Sequence, residues 1–240
     1  MIRLIAHRGA SYGAPENTTR AFLRALLDEA ADGIECDIQL LEDGTPIVFH
    51  DGDTRALCGA GGLVAHMSLA EFRALRLHGE PLSTLDEVVA ALATVGRPFL
   101  WNIELKPTSH PRELVAATLA ALGPIAGSPD ITLLISSFDP RTLMDLQARG
   151  WPHPIALLFE DPRSLVALTL LDRKRLDIHP RNDRVDATSA AAWHAAGHRI
   201  RVWTVDDAAE ARRLIALGVD ALITNRPGPL RAELETRSSP

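Results

Sequence analysis

The sequence predicts an α/β fold, a single (β/α)8 barrel over residues 1–240, and three observations carry that prediction. Short apolar runs alternate with amphipathic stretches along almost the whole chain, the mark of successive βα units. The 240 residues are 46% hydrophobic and 23% charged, and a chain of this size commonly closes an α/β barrel around one core. Polar residues able to do chemistry recur where the apolar runs end. In a parallel barrel those ends all meet at one face.

Taken in order, IRLIAH (2–7) is short, apolar and followed by Arg-Gly, so it reads as the first strand. The stretch TTRAFLRALLDEAA has helical spacing, with Asn17 or Thr18 as its cap. GIECDI (33–38) and PIVFH (46–50) are the second and third strands; the LEDG turn at 41–44 joins them by a hairpin-like return with no helix between. From 52 to 80 the chain fits neither period and makes an excursion. Its GAGG lacks the preceding strand and following helix start of a phosphate cradle, so it reads as a flexible loop. STLDEVVAALATV is a helix capped by Ser83 or by Thr84, the latter with Glu87 at capping-box spacing. FLWNIEL (99–105), ITLLISS (131–137), PIALLF (154–159), LDIH (176–179), IRVWTV (200–205) and ALIT (221–224) complete the strands, with SAAAWHAAG a further helix. Nine strands are one too many, so one is misread or lies outside the ring. Residues 229–240 form a polar, flexible tail.

Within GIECDIQL, Glu35 and Asp37 sit two apart and so face the same side of a strand, away from Ile34, Cys36 and Ile38. Two buried carboxylates side by side demand a cation. His7 and Arg8 end the first strand, His50 and Asp51 the third, Glu104 and Lys106 the fourth, Ser136 and Ser137 the fifth, and His179 the seventh. Each alone has a structural explanation; together they converge on one mouth. Glu35, Asp37 and Glu104 make an all-oxygen set suited to a hard divalent cation, Mg²⁺ or Ca²⁺. His7 and His50, with no cysteine partner, read as a general acid and base, in an order the sequence leaves open. Arg8 and Lys106 add fixed positive charge for a phosphate. The set describes a phosphodiester-cleaving site.

A formal net charge of −6 argues against a nucleic-acid surface or a basic membrane-binding face. No apolar run approaches the ~20 residues of a membrane helix, and MIRLIAHRG has no room for a leader's charged and apolar regions. Cys36 and Cys58 have neither metal-type nor disulfide-framework spacing, and read as core or loop residues of a cytoplasmic protein.

The segments AHRG (6–9), APENT (14–18), IECDIQLLEDGTPIVFHD (34–51), NIELKP (102–107), LISSF (134–138) and VWTVDD (202–207), in that order, resemble the motifs of the glycerophosphodiester phosphodiesterases of cytosolic bacterial type, from Ile5 to about Asn225. The resemblance implies a TIM-type barrel, a divalent cation, and hydrolysis of small soluble glycerophosphodiesters to glycerol 3-phosphate and an alcohol. It puts the metal ligands on Glu35, Asp37 and Glu104, the catalytic histidines on His7 and His50, and the phosphate-side cations on Arg8 and Lys106. Glu16 and Asn17 fall in a supporting turn, and Trp203 at a position that lines the glycerol pocket or packs in the core. The chain departs from the pattern at Arg55–Cys58 and GAGG, in the shorter segment before GEPL (79–82), and in Asp206 and Asn225, which replace what are often Asn and Asp. These departures bear on selectivity for the alcohol. A phosphodiester lyase giving a cyclic phosphate would use the same residues; a non-catalytic barrel binding phosphorylated ligands would be expected to have lost one of them.

Overall fold

In the computed structural model, which describes residues 2–172 and 175–236, the strands in chain order are β1 (Arg3–Ala6), β2 (Gly33–Leu40), β3 (Pro46–Val48), β4 (Arg76–Leu77), β5 (Glu80–Pro81), β6 (Phe99–Leu105), β7 (Ile131–Ser137), β8 (Ile155–Phe159), β9 (Leu176–Pro180), β10 (Arg201–Val202) and β11 (Ala221–Thr224). Eight of them are parallel and lie side by side in the order β10, β11, β1, β2, β6, β7, β8, β9. The two ends of this sheet meet through the bridges Ile178–Ile200 and Arg181–Trp203, which nearly close the barrel. Trp203 Nε1 donates to the His179 carbonyl at 2.7 Å across this seam, and the buried pair Arg201–Asp177 spans it as well.

Alternation along the strands separates two cores. Ile34, Cys36, Ile38, Ile103, Leu133 and Ile135 pack with Phe22, Leu26, Val88, Leu92, Leu114 and Leu146 from the surrounding helices. Cys36 is wholly buried there, and burial pushes its thiol well up. The opposite strand faces contribute Ile5, Leu100, Ala221 and Ile223, a small apolar cluster with Trp203 packed on it. Gly33 has a steric reason: a Cβ there would stand 2.4 Å from the Leu100 carbonyl oxygen on the neighbouring strand.

The ninth predicted strand is β3, which pairs antiparallel with β2 through Ile38–Val48, Gln39–Ile47 and Leu40–Pro46 and stands outside the ring. The hairpin-like return is therefore present. Thr18 caps the first helix by accepting from Ala21 N, and Thr84 with Glu87 forms the complete capping box.

The excursion is built more firmly than a loop. It holds the helix Arg55–Cys58, the 3-10 turn Val64–His66, the helix Leu69–Ala74 and the β4–β5 hairpin. Phe49, Val64, Met67, Phe72, Leu75, Leu77 and Leu82 give it a core of its own, and the sequence pattern missed it because its elements are too short to show a period. GAGG folds around buried Thr54, whose hydroxyl donates to the Ala60 carbonyl and accepts from Gly62 N. Both ends of the excursion meet: Val48 N donates to the Ser83 carbonyl at 3.0 Å, and Ile47 bridges Thr84. The expected tail from 229 is corrected as far as 235, since Pro227–Glu235 is a helix that buries Leu230; residues 237–240 lie outside the described residues.

Candidate active site

The mouth starts where β1 ends. Arg8 has φ +55° and Gly9 φ +82°, and a Cβ on Gly9 would lie 2.6 Å from the Ala21 backbone, so the chain turns hard against the first helix. Left-handed backbone at a bulky residue such as Arg8 is a strained choice that persists where surroundings enforce it. Its effect is to aim Arg8 N at Glu35 Oε2, 2.9 Å away. The Arg8 guanidinium reaches Glu16 Oε1 at 2.8 Å and Asp37 Oδ2 at 3.3 Å. Asn17, 2% exposed, donates from Nδ2 to Asp37 Oδ2 at 2.8 Å and accepts from Asp37 N at 3.2 Å. The turn in APENT thus holds both Arg8 and Asp37.

Parallel register between β2 and β6 sets Glu35 opposite Asn102 and Asp37 opposite Glu104. Glu35, Asp37 and Glu104 are all buried, with ligand oxygens within 4.8 Å of one another. Lys106 Nζ lies 2.8 Å from Glu104 Oε1 and 3.3 Å from Asp37 Oδ1. Burial drives the Glu35 carboxyl well above its usual range, with Asp37 and Glu104 adding to the effect, and brings Glu104 to about 7, helped by Asp37. Burial acts on Asp37 in the same sense, yet Lys106, Arg8 and His50 together hold it below the usual carboxylate range. Three carboxylates against two cations leave a deficit of positive charge. Buried Glu35 Oε1 makes no hydrogen bond. This donor set fits a hard divalent cation.

His7 and His50 flank the carboxylates by different routes. His7 follows β1 directly, and its Nδ1 lies 2.8 Å from Asn225 Oδ1. Burial, then the neighbouring Arg8, lowers the His7 imidazole from its ordinary value. His50 reaches the mouth, as expected, by the antiparallel return of β3, where Phe49 N donates to the Asp37 carbonyl at 3.0 Å. His50 Nδ1 lies 2.7 Å from Asp51 Oδ1.

His7, Arg8, Glu35, His50, Glu104, Lys106 and Trp203 all line one cavity of about 180 Å³. Asp37 sits beneath it, bound to Arg8, Lys106 and Asn17. Trp203 stands edge-on to Phe138, ring centroids 5.5 Å apart. Three strand-end residues serve other ends: Ser137 Oγ donates to the Leu105 carbonyl, and Ser136 and His179 are fully buried, His179 without a partner on either ring nitrogen. Burial and Arg201 hold its imidazole neutral, well below the ordinary value. Sequence reasoning missed Asn102, Phe138 and Glu160 in the cavity wall. Each follows a signal already in use, two residues before Glu104 or one residue beyond a strand's end.

A model of the glycerophosphoryl diester phosphodiesterase family matches residues 7–229. A glycerophosphodiester phosphodiesterase of Caldanaerobacter subterraneus subsp. tengcongensis is 31% identical, over 95% of this chain and 95% of its own. Another, from Bacillus altitudinis, is 31% identical over 95% of this chain and 96% of its own. The structure of an Oleispira antarctica phosphodiesterase in complex with the product sn-glycerol-3-phosphate matches with a TM-score of 0.88 at 26% identity, covering 97% of this chain and 96% of that one.

Proposed function

The chain belongs to the glycerophosphoryl diester phosphodiesterase family, and on that premise we propose that it hydrolyses small glycerophosphodiesters to glycerol 3-phosphate and a free alcohol with the aid of a divalent cation. The observation that carries this reading is the meeting of two imidazoles, two cations and the acidic cluster at one cavity of about 180 Å³. The product bound in the Oleispira enzyme is the half-substrate we place there; the departing alcohol then projects from the mouth.

Glu35, Asp37 and Glu104 would hold Mg²⁺ or Ca²⁺, which when bound polarises a phosphoryl oxygen and offsets the charge that builds on phosphorus. Arg8 and Lys106, fixed by Glu16, Asp37 and Glu104, offer donors to the remaining phosphoryl oxygens. Trp203, held by its bond to the His179 carbonyl, and Phe138 wall the glycerol carbons.

The histidines divide the proton work. His7 donates from Nδ1 to the neutral Asn225 carbonyl, which leaves a lone pair on Nε2; that nitrogen takes a proton from the attacking water as its oxygen bonds to phosphorus. His50 faces the Asp51 carboxylate, which complements positive charge on the ring. From Nε2 it gives a proton to the alcohol oxygen as the P–O bond breaks. Solvent resets both rings. Free Cys36 and Cys58 accord with a reducing, cytoplasmic setting, and no helix of the described residues is long and apolar enough to cross a membrane.

Phosphorus NMR of glycerophosphocholine turnover tests the reading. Glycerol 3-phosphate as first product supports it; a cyclic phosphate as end product would assign a lyase, and absence of turnover with Mg²⁺ and with Ca²⁺ would leave only binding.

A further inference from the structure

Three neighbouring strand ends, those of β10, β11 and β1, deliver Asp206, Asn225 and His7 to one line. Asn225 Nδ2 donates to Asp206 Oδ2 at 2.6 Å. On its other side Asn225 Oδ1 lies 2.8 Å from His7 Nδ1 and accepts from the Ser11 hydroxyl at 2.9 Å. Asp206 is itself held: its Oδ1 accepts from Asn225 N and from the Thr224 hydroxyl, both at 2.8 Å. A flipped Asn225 amide would set its oxygen against the Asp206 carboxylate, two acceptors within hydrogen-bond distance, and its NH₂ against His7. The carboxylate therefore fixes which end of the amide His7 meets.

We propose that Asp206 and Asn225 are a positioning pair for the reaction: Asp206 locks the Asn225 amide, and the locked carbonyl holds His7 as the Nδ1–H tautomer with Nε2 open toward the cavity. Neither residue lines the cavity, so both act through His7. The pair offers a neutral acceptor to His7 and keeps the negative charge one residue away. This inference rests on the reading of His7 as the base.

The test uses full-length, ¹⁵N-labelled protein with Mg²⁺, folding of each variant being checked by circular dichroism. Two-bond ¹H–¹⁵N spectra, with His7→Ala assigning the His7 signals, report the tautomer directly. Wild type should show a lone-pair nitrogen at Nε2 and a protonated Nδ1. Asn225→Ala and Asp206→Ala should each shift His7 toward a mixture of tautomers and lower kcat ~10–100-fold, the usual worth of a group orienting a functional imidazole, with KM little changed. Asn225→Ala keeps the Asp206–Thr224 bond and serves if Asp206→Ala does not fold. The double exchange Asp206→Asn with Asn225→Asp keeps a donor and an acceptor in series, so it should restore the single tautomer and recover part of kcat. Unchanged spectra and kcat in both single variants would overturn the pair's role while leaving His7 as base. Full activity in His7→Ala would instead remove the base, a separate outcome.

Discussion

Gln39 Nε2 lies 3.0 Å from the His50 carbonyl oxygen and closer still to those of Phe49 and Asp51, at 2.8 and 2.9 Å. One amide on β2 thus holds the backbone on both sides of His50, just where the chain leaves β3. Without it the imidazole would depend on the Asp51 contact alone. Gln39→Leu should lower kcat about tenfold through misplacement of the acid and cost ~1–2 kcal/mol of stability for the carbonyls it abandons. Steady-state kinetics beside thermal melts checks both, and unchanged kcat would show that His50 needs no such hold.

Metal dependence follows from the acidic cluster. Turnover should vanish with chelator and return with Mg²⁺ or Ca²⁺, and Glu35→Ala, Asp37→Ala and Glu104→Ala should each lose most activity while remaining folded. Stability carries a second signature. Glu104, at about 7, and Glu35 keep protons in the metal-free fold that the unfolded chain releases near pH ~4.3. The folded state then binds more protons than the unfolded one, so stability falls as pH rises from there through about 7, by up to ~1.4 kcal/mol per pH unit for each titrating group. Melting temperatures in chelator should therefore decline across that window, and saturating cation should offset the decline.

His7→Ala and His50→Ala should each lower kcat by ~10²–10⁴, with the double variant short of the combined loss because the two act as a unit. Exposed His78, outside both the cavity and the groove beside it, is the control. Because burial and Arg8 lower the His7 imidazole, the base is neutral to below its ordinary value of ~6.5. The acid limb of kcat/KM should lie below that pH and be absent from His7→Ala.

Asn17 grips Asp37 with two hydrogen bonds and stands at φ +55°, a backbone region Asn tolerates better than most residues. Asn17→Ala should weaken cation affinity ~10–100-fold, the usual loss when a ligand's own partner is removed. Titration calorimetry with Mg²⁺ or Ca²⁺ measures it; unaltered affinity would mean Arg8 and Lys106 suffice to place the carboxylate.

Substrate range should be broad. With the glycerophosphate half placed in the cavity, the alcohol meets the groove beyond Lys106, between the excursion and the loop after β6, lined by Gln39, Glu42, Leu63, His66 and His110. Gln39 is committed to backbone carbonyls, the others are exposed, and His110 is 69% exposed. Weak differential contact gives weak discrimination. We expect kcat/KM for glycerophosphocholine, glycerophosphoethanolamine and glycerophosphoglycerol to agree within roughly tenfold, about 1.4 kcal/mol; a hundredfold preference for one head group would reveal a formed subsite.

The parts of this molecule legible in the sequence are those with long-lived periodicity. FLWNIEL, ITLLISS and ALIT match β6, β7 and β11 end to end, because buried parallel strands leave continuous apolar runs. Alternation alone put Glu35 and Asp37 on one face. The hairpin was legible from LEDG and His50 was placed at the mouth, but that β3 is the strand outside the ring was not legible, since direction in a sheet is a tertiary property. Nor could spacing show that Asp206 and Asn225 belong with His7: they lie about two hundred residues along the chain from it, and their partnership exists only because β10, β11 and β1 are neighbours in the ring.

The closed stem of the excursion has a consequence for how this enzyme can vary. Between Val48 and Ser83 the chain departs and returns through one hydrogen bond and one bridge, with its own apolar centre in between. A segment whose ends are pinned together adds only a slowly growing entropic cost as it lengthens, about 0.6 kcal/mol per doubling. His50 lines the cavity and residues 52–80, just beyond it, do not, so the segment's length can change while its stem stays closed. Descent, or a protein engineer, can therefore treat 52–80 as an interchangeable cartridge that changes what the enzyme accepts and spares the machinery that cuts.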